Sequence, residues 1–335
     1  MFIPHIEKAF HHICRNGSIG DIEAEASQFS DIKTLAYTLV HHGRYNPAGE
    51  LYEWVLAGEK KSLGENHPVT LSTVYYRAAT FERQGKYDEA LEWYRRALAG
   101  EEKSLVKDHP DTLATVHGMA GVLQNQGKYD EALDLYGRAL AGKEKALGRD
   151  DLNTLSTVEA MANVFQRQGK YDLALEWYRR VHAGGEKSLG KDHPYTLSAV
   201  NSMAAVFYEQ GKYDEALELY RGALAAAEKS LGKGHQNTLT IVHQMANVFL
   251  GQGKYGKALE WYRRALAGEE ESLGRDHPDT LSTVYCMATI FRKQGKGDEA
   301  MKLYHRALAG QEKSLGKDHP NTLATSRSIA EMLRK

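Results

Sequence analysis

"GKYDEALEWYRRALAGEEKSLVKDHPDTL" occupies residues 85–113, and its reading decides the fold. Variants of the phrase begin at Gly43, Gly127, Gly169, Gly211, Gly253 and Gly295, always 42 residues after the previous start. A fixed period of this length marks an array that grows by one supersecondary unit at a time. It overrides the two or three domains that a length of 335 residues would otherwise suggest.

Each unit reads as two helices. In "TLSTVYYRAATFERQG" (70–85), Leu71, Val74, Ala78 and Phe81 recur at three- and four-residue steps and share one face of a first helix, A. Gly85 stops it. In the phrase itself, Ala90, Leu91, Tyr94, Ala97, Leu98 and Leu105 do the same for a longer helix B, with Asp88 and Glu89 in the first turn, where the backbone dipole favours acids. Gly64, Gly148 and Gly190 mark the far end of B, and the recurring His-Pro opens the next A, proline suiting a first turn because its missing N–H has no partner there. The unit is an antiparallel helical hairpin.

Small and large residues recur in fixed places. Helix A carries Ala36, Ala78, Ala120, Ala162, Ala204, Ala246, Ala288 and Ala330; helix B carries Ala48, Ala90, Ala132, Ala174, Ala216, Ala258 and Ala300. Alanine lets helix axes approach closely. Tyrosines at 52, 94, 136, 178, 220, 262 and 304 supply the bulk between layers, and their hydroxyls need partners. Glycine inside helix B, at 58, 100, 142, 184, 268 and 310, costs about 1 kcal/mol against alanine, which implies a neighbouring helix too close for a β-carbon.

Gly85, Tyr87, Ala90, Tyr94 and Ala97, with Ala78 and Phe81 upstream, resemble the tetratricopeptide repeat (TPR) pattern. The 42-residue period, the extension "AGEEKSLGKDHP" of helix B and "DHP(D/N)TL" opening helix A resemble the kinesin light chain subtype. They also resemble TPR arrays at the C-terminal end of fungal NLR-like receptors with an NB-ARC or NACHT switch domain. The resemblance implies an all-α, right-handed α-solenoid of antiparallel helix-turn-helix repeats. The expected organisation is N-terminal capping helices or a linker over 1–30, seven repeats over 31–320, and a lone helix A over 321–335 as a cap or the cut end of a longer array. Ile6, Phe10 and Ile13 share a face within the expected capping helix at 5–16.

The candidate chemistry is thin. "GQGKYGKA" (251–258) satisfies G-x-G-x-x-G and nearly satisfies the P-loop, but a helix precedes it and Ala258 has no hydroxyl for magnesium. His67, His109, His193, His235, His277 and His319 recur one repeat apart at helix starts, which suits capping better than metal binding. The adjacent pairs His11–His12 and His41–His42 point in different directions on a helix. Carboxylates are scattered over helix faces expected to be solvated. Forty-three basic against 44 acidic residues give no field for nucleic acid, and no run of about 20 apolar residues suits membrane insertion. Cys14 and Cys286 form no framework. A non-enzymatic, cytoplasmic chain with no cofactor and no metal is expected.

What differs between copies is one stripe of helix A. Its first line reads Tyr75, His117, Glu159, Asn201, His243, Tyr285; the second reads Tyr76, Gly118, Ala160, Ser202, Gln244, Cys286. One turn on come Ala79, Gly121, Asn163, Ala205, Asn247, Thr289, then Glu82, Gln124, Gln166, Tyr208, Leu250, Arg292. The family resemblance implies that this face lines a concave groove that binds a protein or peptide partner. Kinesin light chains hold a cargo peptide's backbone with paired asparagines at the first two lines, of which this chain keeps only Asn201. Two readings stand open: drift of an unconstrained surface, and a ligand groove. The groove reading assigns hydrogen bonding to His117, Asn201, His243 and Gln244, aromatic contact to Tyr75, Tyr208 and Tyr285, and further polar lining to Glu159, Asn163 and Asn247. Three roles are compatible with it: a protein-interaction scaffold, a kinesin-light-chain-like cargo adaptor, and the sensing or oligomerisation arm of an NLR-like receptor. The array ends are open to self-association.

Overall fold

The structure, a computed structural model, describes residues 22–41, 43–317 and 319–334. The expected capping helix over 5–16 and the residues His11, His12 and His42 lie outside this set. Every regular element among the described residues is an α-helix. Two compact units divide the chain, residues 1–146 and 147–335.

The first unit holds three hairpins: α1 (Ile22–His41) with α2 (Tyr45–Ser62), α3 (Pro68–Arg83) with α4 (Tyr87–Ser104), and α5 (Pro110–Asn125) with α6 (Tyr129–Leu147). The second holds four, α7 (Leu152–Arg167) with α8 (Tyr171–Leu189), α9 (Pro194–Glu209) with α10 (Tyr213–Ser230), α11 (Gln236–Gly251) with α12 (Tyr255–Ser272), and α13 (Pro278–Lys293) with α14 (Gly297–Ser314), followed by α15 (Pro320–Leu333). Odd helices are A and even helices B. Helix α1 runs across residue 30, because Phe29 stands where Leu71 stands one repeat on and begins the same buried face as Ile32 and Ala36. Within each unit helices pack on their sequence neighbours, and successive A helices also touch, α9 on α11 and α3 on α5. This is the packing of an α-solenoid.

Local chemistry explains the helix limits. At Gly85 (φ 74°) the chain turns left-handed, Gly85 N–H donating to Glu82 at 2.9 Å and Lys86 N–H to Phe81 at 3.0 Å. This is the two-bond seal that satisfies the last carbonyls of a helix. At the start of α5, His109 accepts the Asp111 N–H on Nδ1 at 3.2 Å and Pro110 takes the first helical position. His67, His193, His277 and His319 do the same, His235 caps α11 ahead of Gln236 in place of proline, and Asp151 replaces histidine at the start of α7 with a 2.8 Å bond from Asn153 N–H. "GQGKYGKA" falls across the α11–α12 turn, with Gly253 (φ 71°) as an ordinary member of the turn series.

The core lies between the layers. The seven tyrosines and the alanines of both helices are buried, except Ala330, which is exposed on α15. The glycine inside helix B is crowded by a leucine side chain of its own hairpin, or at Gly58 by Phe29, rather than by helix backbone. A β-carbon on Gly184 would sit 2.7 Å from Leu155, and one on Gly142 2.5 Å from Leu113.

Candidate functional site

All ten expected groove residues lie on A helices and are half-buried: Tyr75 on α3, His117 on α5, Glu159 and Asn163 on α7, Asn201 and Tyr208 on α9, His243, Gln244 and Asn247 on α11, Tyr285 on α13. They stand at the seam between the layers and the outside, with part of each side chain engaged inward. In the first line, Tyr75 meets Tyr94 edge-on at 5.4 Å between ring centroids, His117 meets Tyr136 at 5.0 Å, His243 meets Tyr262 at 5.2 Å and Tyr285 meets Tyr304 at 5.4 Å.

The third and fourth lines serve the tyrosine hydroxyls. Tyr94 donates to Glu82 at 3.2 Å, Tyr136 to Gln124 at 3.0 Å, and Tyr178 to Asn163 at 2.6 Å. Tyr262 donates to Asn247, which in turn donates to Gln244 at 2.9 Å, and Tyr304 lies 3.0 Å from the Thr289 hydroxyl. Burying such a ring is worth about 2 kcal/mol, and a stranded hydroxyl would forfeit about 1–3 kcal/mol of that, so a partner is needed in every copy. Carboxylate, amide and hydroxyl all suffice, which leaves the two positions free to vary as long as one of them in each copy stays polar.

Between successive A helices lie clefts at equivalent registers. One of about 160 Å³ is lined by Tyr75, Tyr76, Glu101, Asp111 and Thr115 among others. A second of about 210 Å³ has His243, Gln244, Glu269 and Asp279. A third of about 90 Å³ has Ser198, Asn201 and Asn237, and the Asn201 Oδ1 in it is buried without a partner. Burial holds the His243 ring down at about 4, against the pull of Asp279, and burial with help from Lys143 holds His117 at about 4. Both rings are therefore neutral at neutral pH, and His243 shares a 2.8 Å hydrogen bond with Thr283. Burial also raises the Glu159 carboxyl. Tyr208 packs on Tyr213 at 5.8 Å, and the Tyr285 hydroxyl lies 3.1 Å from that of Ser328.

A column on helix B escaped the sequence reading. Residues 59, 101, 143, 185, 227, 269 and 311 read Glu, Glu, Lys, Gly, Ala, Glu, Gln, and all are buried. Expecting carboxylates only on solvated faces is corrected here. Thr73 donates to Glu59 at 2.6 Å, Thr115 to Glu101 at 3.0 Å, and Thr325 to Gln311 at 2.7 Å. Where the column turns apolar, at Gly185 and Ala227, the opposing threonine becomes Ala199 and Ile241. Helical periodicity could not find this column, but the matched change across copies, 14 residues apart, could.

The tetratricopeptide repeat family model matches residues 30–103, 111–184, 154–221, 196–271 and 279–335, and the chain belongs to this family. Among solved structures, the chain is similar to a Podosopora anserina protein assigned as a kinesin light chain with nearly identical TPR-like repeats, at 27% identity and a TM-score of 0.54 over 61% of this chain and 96% of that one. A tetratricopeptide repeat protein from Parabacteroides merdae shares the fold at 16% identity, a TM-score of 0.61, and 92% and 99% coverage. So does a Rap protein complexed with competence and sporulation factor, at 14% identity, a TM-score of 0.56, and 98% and 91% coverage. No curated protein matches. Among the described residues no helix is long and apolar enough to cross a membrane, and no group of three or more His, Cys, Asp or Glu side chains is placed to hold a metal ion.

Proposed function

We propose that the chain is a non-catalytic, cytoplasmic protein-interaction scaffold that binds a peptide or protein segment along its A helices. Tyr75, His117, Glu159, Asn163, Asn201, Tyr208, His243, Gln244, Asn247 and Tyr285 line that path. The observation that carries this reading is the recurrence of open, polar clefts between successive A helices, at the positions where the copies differ. A repeat array built on invariant alanine and tyrosine gains specificity only where copies diverge, and drift alone does not account for the unpartnered Asn201 carbonyl in a cleft. The similar structure solved with competence and sporulation factor supports the reading by the fold it shares.

The test is affinity capture with mass spectrometry, comparing wild type, an Asn201→Ala/Tyr208→Ala/Gln244→Ala variant, and an Arg95→Ala/Arg179→Ala control on exposed helix B positions. Loss of the same partners in the triple variant alone is expected. An identical partner set in all three proteins would overturn the groove assignment.

A further inference from the structure

The first member of the buried helix B column shows what the column can hold. Glu59 is fully buried, and each of its carboxylate oxygens has a partner: Thr73 donates to one, and the Lys33 ammonium stands 3.0 Å from the other. One repeat on, the position of Lys33 is Tyr75, and four repeats beyond that it is His243. Glu101 and Glu269 keep the acid and the threonine and lose the cation. Each is at least 97% buried, and each has one oxygen, Oε2, with no partner. Those two glutamates line the two clefts at the same register, and neither lining contains lysine or arginine. Asp111 and Asp279 add a second carboxylate to each, and the neutral His243 adds no charge.

A buried carboxylate oxygen without a donor is costly unless something fills the place. We propose that Glu101 in the first unit and Glu269 in the second are each a socket for a lysine side chain of a bound segment, each repeating between molecules the Lys33–Glu59 contact that the chain makes within itself. This rests on the peptide-binding reading above and adds the chemistry of the segment. Lysine fits better than arginine because only one oxygen is free, so a point-like ammonium is matched and a two-pronged guanidinium is not. At the Glu101 socket the rings of Tyr75 and Tyr76 meet at 80° with centroids 5.6 Å apart, and aromatic faces attract a cation and cover its methylene stem. Clefts of about 160 and 210 Å³ have room for such a side chain.

The probe is a fluorescent peptide, acetyl-Gly-Ala-Lys-Ala-Gly-Ala-Lys-Ala-Gly-amide, with its two lysines replaced by norleucine in the comparison peptide. Polarisation is read at physiological salt. Wild type is expected to bind the lysine form at least about fivefold more tightly, and Glu101→Gln/Glu269→Gln to abolish that preference. A Glu92→Gln/Glu260→Gln control, which removes two exposed carboxylates, should keep it. Tyr75→Lys supplies the second repeat with its own lysine and should weaken lysine-peptide binding while raising the unfolding temperature, which a merely damaged variant would not do. Equal binding of the two peptides, a preference that survives the Glu→Gln pair, or no lysine-dependent signal up to about 1 mM peptide would each overturn the sockets. Full competition by n-butylammonium at the peptide's own concentration would likewise overturn a peptide as the source of the ammonium. Partner capture lost in the Asn201/Tyr208/Gln244 variant but indifferent to Glu101 and Glu269 leaves the groove standing and removes the sockets alone.

Discussion

Asn163 accepts the Tyr178 hydroxyl at 2.6 Å, with Gln166 Oε1 standing 2.9 Å away on the same hydroxyl. A residue that differs between copies thus completes the interior before it meets any ligand. Asn163→Ala is expected to cost about 1 kcal/mol, and adding Gln166→Ala and Ser202→Ala, which removes the remaining side-chain partner, to strand the hydroxyl and cost about 2 kcal/mol more. Tyr178→Phe on that background should recover most of the loss. Urea unfolding of the four proteins checks it, and no recovery with phenylalanine would show that the hydroxyl is solvated instead.

The buried sockets make stability depend on pH. Burial pushes Glu101 up to about 7, the Thr115 hydrogen bond opposes the shift, and Asp111 and Glu102 add to it; Glu269 behaves alike with Thr283 and Asp279. The folded chain therefore holds these protons more tightly than the unfolded chain does. Their contribution is full below the ordinary carboxylate value of 4.5 and is lost as pH rises through about 7. Glu101→Gln should match wild type near pH 5 and exceed it by roughly 1 kcal/mol near pH 8.5, allowing for solvent screening. Parallel stability curves across that range would place the carboxylate in water.

Histidine caps are interchangeable with aspartate in this array, as Asp151 already shows at the start of α7. His109→Ala should lower stability by about 1 kcal/mol, and His109→Asp should stay within about 0.5 kcal/mol of wild type. Thermal unfolding of both variants distinguishes a cap from a residue that serves only as surface.

Close helix contact at the alanines predicts intolerance of bulk. Ala204→Leu, at a fully buried site on α9, should cost about 1–3 kcal/mol by overpacking, whereas Ala330→Leu on the exposed face of α15 should be near neutral. Comparable losses at both sites would mean that α15 is covered as the other A helices are.

The period, the hairpins, the caps, and the buried alanines and tyrosines were legible because each follows from spacing and backbone chemistry that recur in every copy. The exposed Ala330 was not, since identity with its sister alanines says nothing of whether a partner helix lies beside it. Interior glycine signalled crowding correctly but not by what, because the text cannot tell a leucine tip from a helix backbone. The ten groove residues were placed on the A helices by their variation, yet their half-buried, inward-bonded state was hidden. Variation registers tolerance, and a tyrosine hydroxyl tolerates several partners. Glu101 was least legible of all: within "GEEKS" it resembles its exposed neighbour Glu102, and only its depth separates the two.

Each socket takes one residue from an A helix, one from the following B helix and one from the next A helix, as Lys33, Glu59 and Thr73 do. Lys33 and Thr73 stand almost a full 42-residue period apart, so nearly every cut that excises a single unit separates them. When genetic recombination adds or removes a unit, a junction that falls inside this span pairs residues of different ancestry in one socket. Copying whole units thereby makes new combinations of socket residues at the seams without any point substitution, while the recurring alanines and tyrosines pass unchanged into every product.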